Sequence, residues 1–195
     1  MIGKKKITVF VDRDGTINVN LAFPNVTKPE KLELIPRAAE GIRKLNDIGC
    51  RVIIVTNQAG INNPENDLTY AKYVEVTKRL RKLLGGMGAG YDDEFCCPHT
   101  QNEKCACRKP QTGLFERARE KYTDIDFEKS FMIGDRPDDI IAGRSLQMIT
   151  ILVRTGHGTA TEKDSRENGY EADYVVNDLY DAAIKIKELH SSITS

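Results

Sequence analysis

Short apolar runs alternate with longer amphipathic stretches along this chain. Residues 6–11 carry Ile7, Val9, Phe10 and Val11, a β-branched run that predicts a buried strand. Residues 36–48 read as a helix: Pro36 suits the first turn, Ile42, Leu45 and Ile48 share a face, and Gly49 is a natural stop. The same reasoning predicts strands at 51–56, 130–133, 149–153 and 172–176, and helices at 68–84, 113–122, 138–146 and 179–189. Alternating buried strands and helices imply an α/β fold with a three-layer, Rossmann-like parallel sheet. Ligands of such sheets sit at the carboxyl ends of the strands, so a polar motif directly after a strand carries weight. Segments 17–35, 61–67 and 85–112 lack periodicity and read as irregular. The last is long enough to require a function, or something other than a core to hold it.

Length adds little beyond one domain: 195 residues make a single expected unit, 1–195. Charge removes several functions. With 29 Lys+Arg against 29 Asp+Glu there is no electrostatic footprint for nucleic acid or an anionic membrane. No apolar run approaches the ~18–20 residues that span a bilayer. The basic start, Met1 to Lys6, lacks the apolar region of a signal peptide, so a cytoplasmic protein is expected; a monomer is expected as well. Cysteine changes the picture more. Cys50, Cys96, Cys97, Cys105 and Cys107 are odd in number, which argues against a disulfide framework, and four crowd into residues 96–107, which points to metal.

Three polar motifs directly follow predicted strands. Asp12-Arg13-Asp14-Gly15-Thr16 puts two carboxylates at one strand end, one free to attack or bind metal while the other handles a proton. Thr56-Asn57-Gln58-Ala59-Gly60 offers a hydroxyl and turn N–H groups to a phosphate, with Asn57 beside Thr56 as a further substrate-binding candidate. Gly134-Asp135-Arg136-Pro137-Asp138-Asp139 sets carboxylates where a hard cation such as Mg²⁺ would find oxygen ligands. A fourth motif, Arg108-Lys109-Pro110, supplies cations for phosphate. Each alone is also an ordinary polar turn, helix cap or solvated pair. Gly85, Gly86, Gly88 and Gly90 precede no predicted helix, so a dinucleotide fingerprint is rejected. His157 follows a strand and reads first as a plain loop residue.

Taken in order, Asp-x-Asp-Gly-Thr, Thr-Asn-Gln, a lysine and Gly-Asp-x-x-x-Asp resemble the haloacid dehalogenase superfamily of aspartyl-phosphate phosphotransferases over roughly residues 6–155. About forty residues separate Asp14 from Thr56 and include a helix, which leaves no room for a cap domain there. The loop at about 96–108 narrows the resemblance. Cys97, His99, Cys105 and Cys107 make a Cys₃His set suited to one structural Zn²⁺; a group of free buried cysteines fits so polar a loop poorly. Cys96 adjoins Cys97 and reads as packing inward beside Phe95, and Cys50 as a small buried apolar group. This Cys-x-His…Cys-x-Cys-Arg-Lys-Pro pattern is similar to the zinc-loop branch that holds D-glycero-D-manno-heptose 1,7-bisphosphate 7-phosphatases and histidinol-phosphate phosphatases.

The resemblance implies Mg²⁺-dependent hydrolysis of a small phosphorylated metabolite through a phospho-aspartate. Asp12 would attack phosphorus and ligate Mg²⁺. Asp14 would act as acid, then base, with its backbone carbonyl toward the metal. Thr56 and Lys109 would hold phosphoryl oxygens, Asp135 would ligate Mg²⁺, and Asp139 would stand one step removed. Arg108 and Arg136 are candidates for a distal anionic group. The short His99–Cys105 span suits either substrate; with no fused second enzyme domain expected in 1–195, a heptose bisphosphate is placed first and histidinol phosphate second. A polynucleotide 3′-phosphatase shares the first two motifs but not the zinc loop. A different class, a zinc-stabilised binding module without turnover, is distinguished by assay on an aryl phosphate.

Overall fold

The computed structural model describes residues 6–20, 28–61, 63 and 68–193; the basic start and most of 61–67 lie outside them. The strands are β1 Thr8–Val11, β2 Arg51–Asn57, β3 Asp93–Cys97, β4 Phe131–Gly134, β5 Ile149–Val153 and β6 Tyr174–Val176. They form one parallel sheet in the order β3-β2-β1-β4-β5-β6. The helices are α1 Ala38–Asp47, α2 Tyr70–Gly86, α3 Gly113–Lys121, α4 Pro137–Ser145, α5 Gly158–Asn168 and α6 Leu179–Ile193.

Alternation along the strands divides the core in two. Val9, Val11, Val52, Ile54, Ile133 and Ile151 face α1, α2 and α6, meeting Ile42, Leu45, Leu80, Leu84 and Ile186. Their neighbours Phe10, Ile53, Val55 and Met132 face the other way, against Leu114, Phe115 and Ala118 of α3 and Ala142 of α4. Both faces of the central strands are therefore covered, which explains their continuous apolar runs. Connections leave β1 toward β2 on one side and β4 lies on the other, so the strand order reverses between β1 and β4. The carboxyl ends of these two strands border the crevice where such sheets bind ligands.

Most predicted elements occur with bounds shifted by a few residues. Helix α1 starts at Ala38 because Arg37 adopts a left-handed φ of 65°, which leaves Pro36 outside. Two elements were not predicted. Strand β3 lies inside the 85–112 segment and among the described residues pairs with β2 alone, at the edge of the sheet, with Asp93 to Cys96 only half-buried. Helix α5 has no large apolar stripe; it packs through Gly158, Thr161 and Ser165, small residues at helical spacing. Among the described residues only α1 and a short turn at Pro29–Lys31 lie between β1 and β2, so no cap domain covers the carboxyl ends. None of the described helices is long and apolar enough to cross a membrane.

Candidate active site

Strand β1 ends at Val11 and delivers Asp12, nearly buried, to the mouth of the sheet. Strand β4 delivers the fully buried Asp135 beside it. Gly15, at φ 92°, and Gly156, at φ 55°, let the loops after β1 and β5 close on Asp135; a Cβ on either would overlap its carboxylate. The hydroxyl of Thr155 ties these two loops by donating to the Gly15 carbonyl at 2.7 Å.

Lys109 reaches the same point from the loop before α3. Its ammonium donates to Asp12 Oδ1 at 2.7 Å, to Asp139 Oδ1 at 2.6 Å and to the Val55 carbonyl at 2.7 Å. Burial pulls its pKa down, but Asp12 and Asp139 outweigh that and hold it above the usual lysine range. The backbone of Lys109 is fixed as well. Asn57 donates to its carbonyl and accepts from its N–H, both at 3.0 Å. The Asn57 amide thus serves the lysine's loop, although its side chain also borders the cleft. Asp139 is similarly committed, because its second oxygen accepts from the Arg136 N–H at 3.1 Å.

Carboxylate oxygens of Asp12, Asp135 and Asp139 lie within 4.8 Å of one another. One lysine cannot neutralise three buried carboxylates. Burial, opposed by Lys109 and aided by Asp139, raises Asp12 to about 6. Burial, followed by repulsion from Asp12 and Asp139, raises Asp135 to about 8. Asp135 Oδ1 is buried and has no hydrogen-bond partner among the described residues. An excess of buried negative charge and an orphaned oxygen suit a small hard cation.

Asp14 stands apart from this trio. It accepts from Arg13 at 2.9 Å, from Asn18 at 2.8 Å and from Gln58 at 2.5 Å. Burial acts to raise its pKa, but Arg13 and these hydrogen bonds outweigh it and hold the carboxyl below the usual range. Gln58 also donates to the Thr56 hydroxyl at 2.9 Å, which links the motif after β2 to the motif after β1. Arg13 and Gln58 are fully buried site residues that motif spacing alone does not single out. Their signal was the strand end itself: a polar residue directly after a buried strand has to find a partner.

These groups surround a cleft of about 160 Å³. Thr56, Asn57, Arg108, Lys109 and Arg136 line it, as do Asp12 and Asp14. A larger hollow of about 530 Å³ adjoins it and shares Arg108, Lys109 and Asp138. Arg108 donates to the His99 carbonyl at 3.3 Å and so leans on the cysteine-rich loop. Arg136 lies on the cleft beside His157, which forms the N-terminal boundary of α5 rather than part of a plain loop. Burial and the Arg136 charge both lower the His157 pKa.

In the loop itself, Cys97 lies 3.5 Å from His99 Nδ1, 3.5 Å from Cys105 and 3.2 Å from Cys107. Cys107 is 3.3 Å from His99 Nδ1 and 3.5 Å from Cys105. Four ligands at about 2.0–2.3 Å from a tetrahedral ion would be separated by roughly 3.5–3.8 Å, close to these edges, whereas a disulfide needs about 2 Å. The donor set therefore fits zinc. Backbone N–H groups of Arg108 and Cys107 outweigh burial and bring Cys105 down to about 7. Cys96 takes the other face of β3, half-buried near Tyr73, where burial pushes its thiol up to about 12. Cys50 is buried as expected, and its thiol is likewise pushed up to about 12.

Three comparisons bear on this arrangement. Residues 106–182 match a family model described as HAD-hydrolase-like. The chain is 32% identical to a D-glycero-beta-D-manno-heptose-1,7-bisphosphate 7-phosphatase of Escherichia coli O6:H1, over 96% of this chain and 97% of that protein. It is 36% identical to a D-glycero-alpha-D-manno-heptose-1,7-bisphosphate 7-phosphatase of Photorhabdus laumondii, over 77% of this chain and 84% of that one. Among solved structures it superimposes on the D,D-heptose 1,7-bisphosphate phosphatase of B. bronchiseptica, complexed with magnesium and phosphate. That match has a TM-score of 0.84 and 27% identity, over 93% of this chain and 98% of the other.

Proposed function

Since the chain belongs to the heptose-1,7-bisphosphate 7-phosphatase family of haloacid dehalogenase-like phosphatases, we propose that it removes the 7-phosphate of a heptose 1,7-bisphosphate through a phospho-aspartate on Asp12. The observation that carries this reading is the meeting of Asp12, Lys109, Asp135 and Asp139 at the reversal point of the sheet, with Asp14 and Thr56 on the same cleft.

Asp12 Oδ attacks phosphorus as the bond to the sugar oxygen breaks, and Asp14 gives that oxygen a proton. Water then attacks the acyl phosphate with Asp14 as base, which frees inorganic phosphate and restores the Asp12 carboxylate. Arg13, Asn18 and Gln58 hold Asp14 ionised in the free protein. Asp14 therefore acquires its proton as the anionic substrate arrives beside it, because a nearby negative charge favours the neutral acid. Lys109 and Thr56 hold the oxygens of the transferring group, and Asp139 with Asn57 keep Lys109 aimed. Asp12 and Asp135, with the Asp14 backbone carbonyl, would hold magnesium, which when bound would offset the repulsion between an ionised nucleophile and a phosphate dianion.

The small cleft suits a phosphoryl group, and the adjoining hollow suits the rest of a sugar. Arg108 and Arg136 stand at the cleft for the second phosphate. Zinc in the Cys97, His99, Cys105 and Cys107 set shapes the loop that presents Arg108 and Lys109. The test is phosphate release by the metal-replete protein from a heptose 1,7-bisphosphate and from histidinol phosphate, with magnesium and with EDTA. The bisphosphate should be turned over with the higher kcat/KM, and only with magnesium. Preference for histidinol phosphate would move the substrate assignment to that branch; no turnover of either, or of an aryl phosphate, would leave a binding module.

A further inference from the structure

Two donors converge on one ring nitrogen at the rim of the cleft. Arg136 Nη2 and Asn20 Nδ2 lie 2.8 and 2.9 Å from His157 Nε2. A guanidinium can only donate, so Nε2 is the bare nitrogen and the ring proton sits on Nδ1. The same tautomer accepts from the Asn20 amide, so the two donors share the single lone pair of Nε2. Among the described residues, the only hydrogen bond made by either side chain runs to His157. Asn20 and Arg136 come from different loops, after β1 and after β4, and both line the cleft. His157 itself is well anchored: its backbone N–H donates to Asp135 Oδ2 at 2.7 Å, and α5 begins at the next residue.

We propose that His157 is a positioning residue that aims Arg136 and Asn20 at the far end of a polyhydroxylated, doubly anionic substrate. This rests on the phosphatase reading above and adds its selectivity. Four of the five guanidinium N–H groups of Arg136 remain for an anion, enough for a bidentate grip on a phosphate. The Asn20 carbonyl remains to accept from a hydroxyl. Holding a long side chain in its bound rotamer before substrate arrives removes part of the ordering cost of binding. The selective pair is thus assembled on a ring that itself stays off the substrate.

Three measurements on the full metal-replete chain decide it. The first needs no turnover: ¹⁵N-resolved imidazole NMR of the substrate-free protein at neutral pH should show His157 with Nε2 bare and Nδ1 protonated. The opposite tautomer, or a doubly protonated ring, overturns the proposal whatever the activity. The second is His157→Ala, which should raise KM for the bisphosphate on the order of tenfold relative to an aryl phosphate, roughly the worth of one charge-assisted hydrogen bond. The fall in kcat should be smaller than the rise in KM. The third is His157→Gln, whose carbonyl can accept from both donors and should recover most of the lost affinity. Equal losses on the two substrates, or a folded glutamine variant no better than alanine, overturns the positioning role. A wild-type protein that turns over the bisphosphate, with a preference over aryl phosphate that His157→Ala leaves unchanged, overturns this inference alone; one that discriminates against bisphosphates, or hydrolyses no phosphomonoester, overturns the parent reading with it.

Discussion

Lys109 has all three ammonium N–H groups engaged before any substrate is present, two of them on carboxylates. That explains how Asp12 can lie nearly buried. Asp12→Asn keeps an acceptor for Lys109 and removes only the nucleophile's charge. Turnover should fall on the order of a thousandfold or more while the thermal midpoint holds, and retained turnover would place the covalent step elsewhere. Arg108 makes a different prediction. Its backbone N–H points at Cys105 and its guanidinium at the His99 carbonyl, so it is placed by the cysteine loop and not by the phosphoryl site. Arg108→Ala should cost about 1.5–3 kcal/mol per lost hydrogen bond to the distal phosphate, and kcat/KM should fall far more for a bisphosphate than for an aryl phosphate. Equal losses would assign Arg108 to the transferring group instead. At this scale the site was largely legible in sequence. Asp12, Asp14, Lys109 and Asp135 announced themselves as polar residues at strand ends or in a recognisable order. Asn20 and His157 did not, because what brings them together is a contact spanning 137 residues.

Among the elements, β3 and α5 escaped the hydrophobic pattern for opposite reasons. Among the described residues strand β3 pairs on one side only, and it carries Asp93 and Glu94, which bond Lys121, Tyr122, Tyr73 and Tyr91 in place of packing in a core. Helix α5 is buried through small residues that no apolar periodicity reveals; the Thr161 hydroxyl donates to the Asp135 carbonyl at 2.8 Å and so supports the site from behind. The central strands were readable because both of their faces are covered. Cys97 ends β3 and is also a member of the cysteine–histidine cluster, so the loop that follows returns to the strand end through Cys105 and Cys107. Elemental analysis should find one zinc per chain. Chelation should open the 98–108 loop to protease and lower activity through Arg108 and Lys109; absence of zinc in protein never exposed to chelator would refute the site.

For the whole molecule, three buried carboxylates against one lysine make stability depend on pH and on metal together. Asp12 and Asp135 have folded pKa values near 6 and 8, above the 3.8 of an unperturbed aspartate, so the folded state holds protons that the unfolded state has released. Their contribution is fully present below about pH 4 and fades as pH rises through 6 and then 8. Magnesium-depleted protein should therefore lose thermal stability across that window from these two groups. Asp135→Asn should flatten the upper part of the loss. Saturating magnesium should reverse it, by roughly 2.7 kcal/mol at a hundred times Kd. A pH profile of melting temperature that is indifferent to magnesium would show that the cluster holds no cation.

The position of β3 also has a consequence between molecules. It is the outermost strand on its side of the sheet, and the described residues leave its outer edge without a partner strand. Its last residues, Phe95-Cys96-Cys97, run straight into the cysteine–histidine cluster. Removing the ion would release three thiols and slacken the end of a bare, partly apolar edge at the same time, the combination from which strand-to-strand aggregates grow. Loss of zinc would then be felt first as turbidity rather than as a slower reaction. Light scattering of chelated protein, with and without reductant, should rise before activity is gone, and readdition of zinc should rescue only the fraction still monomeric.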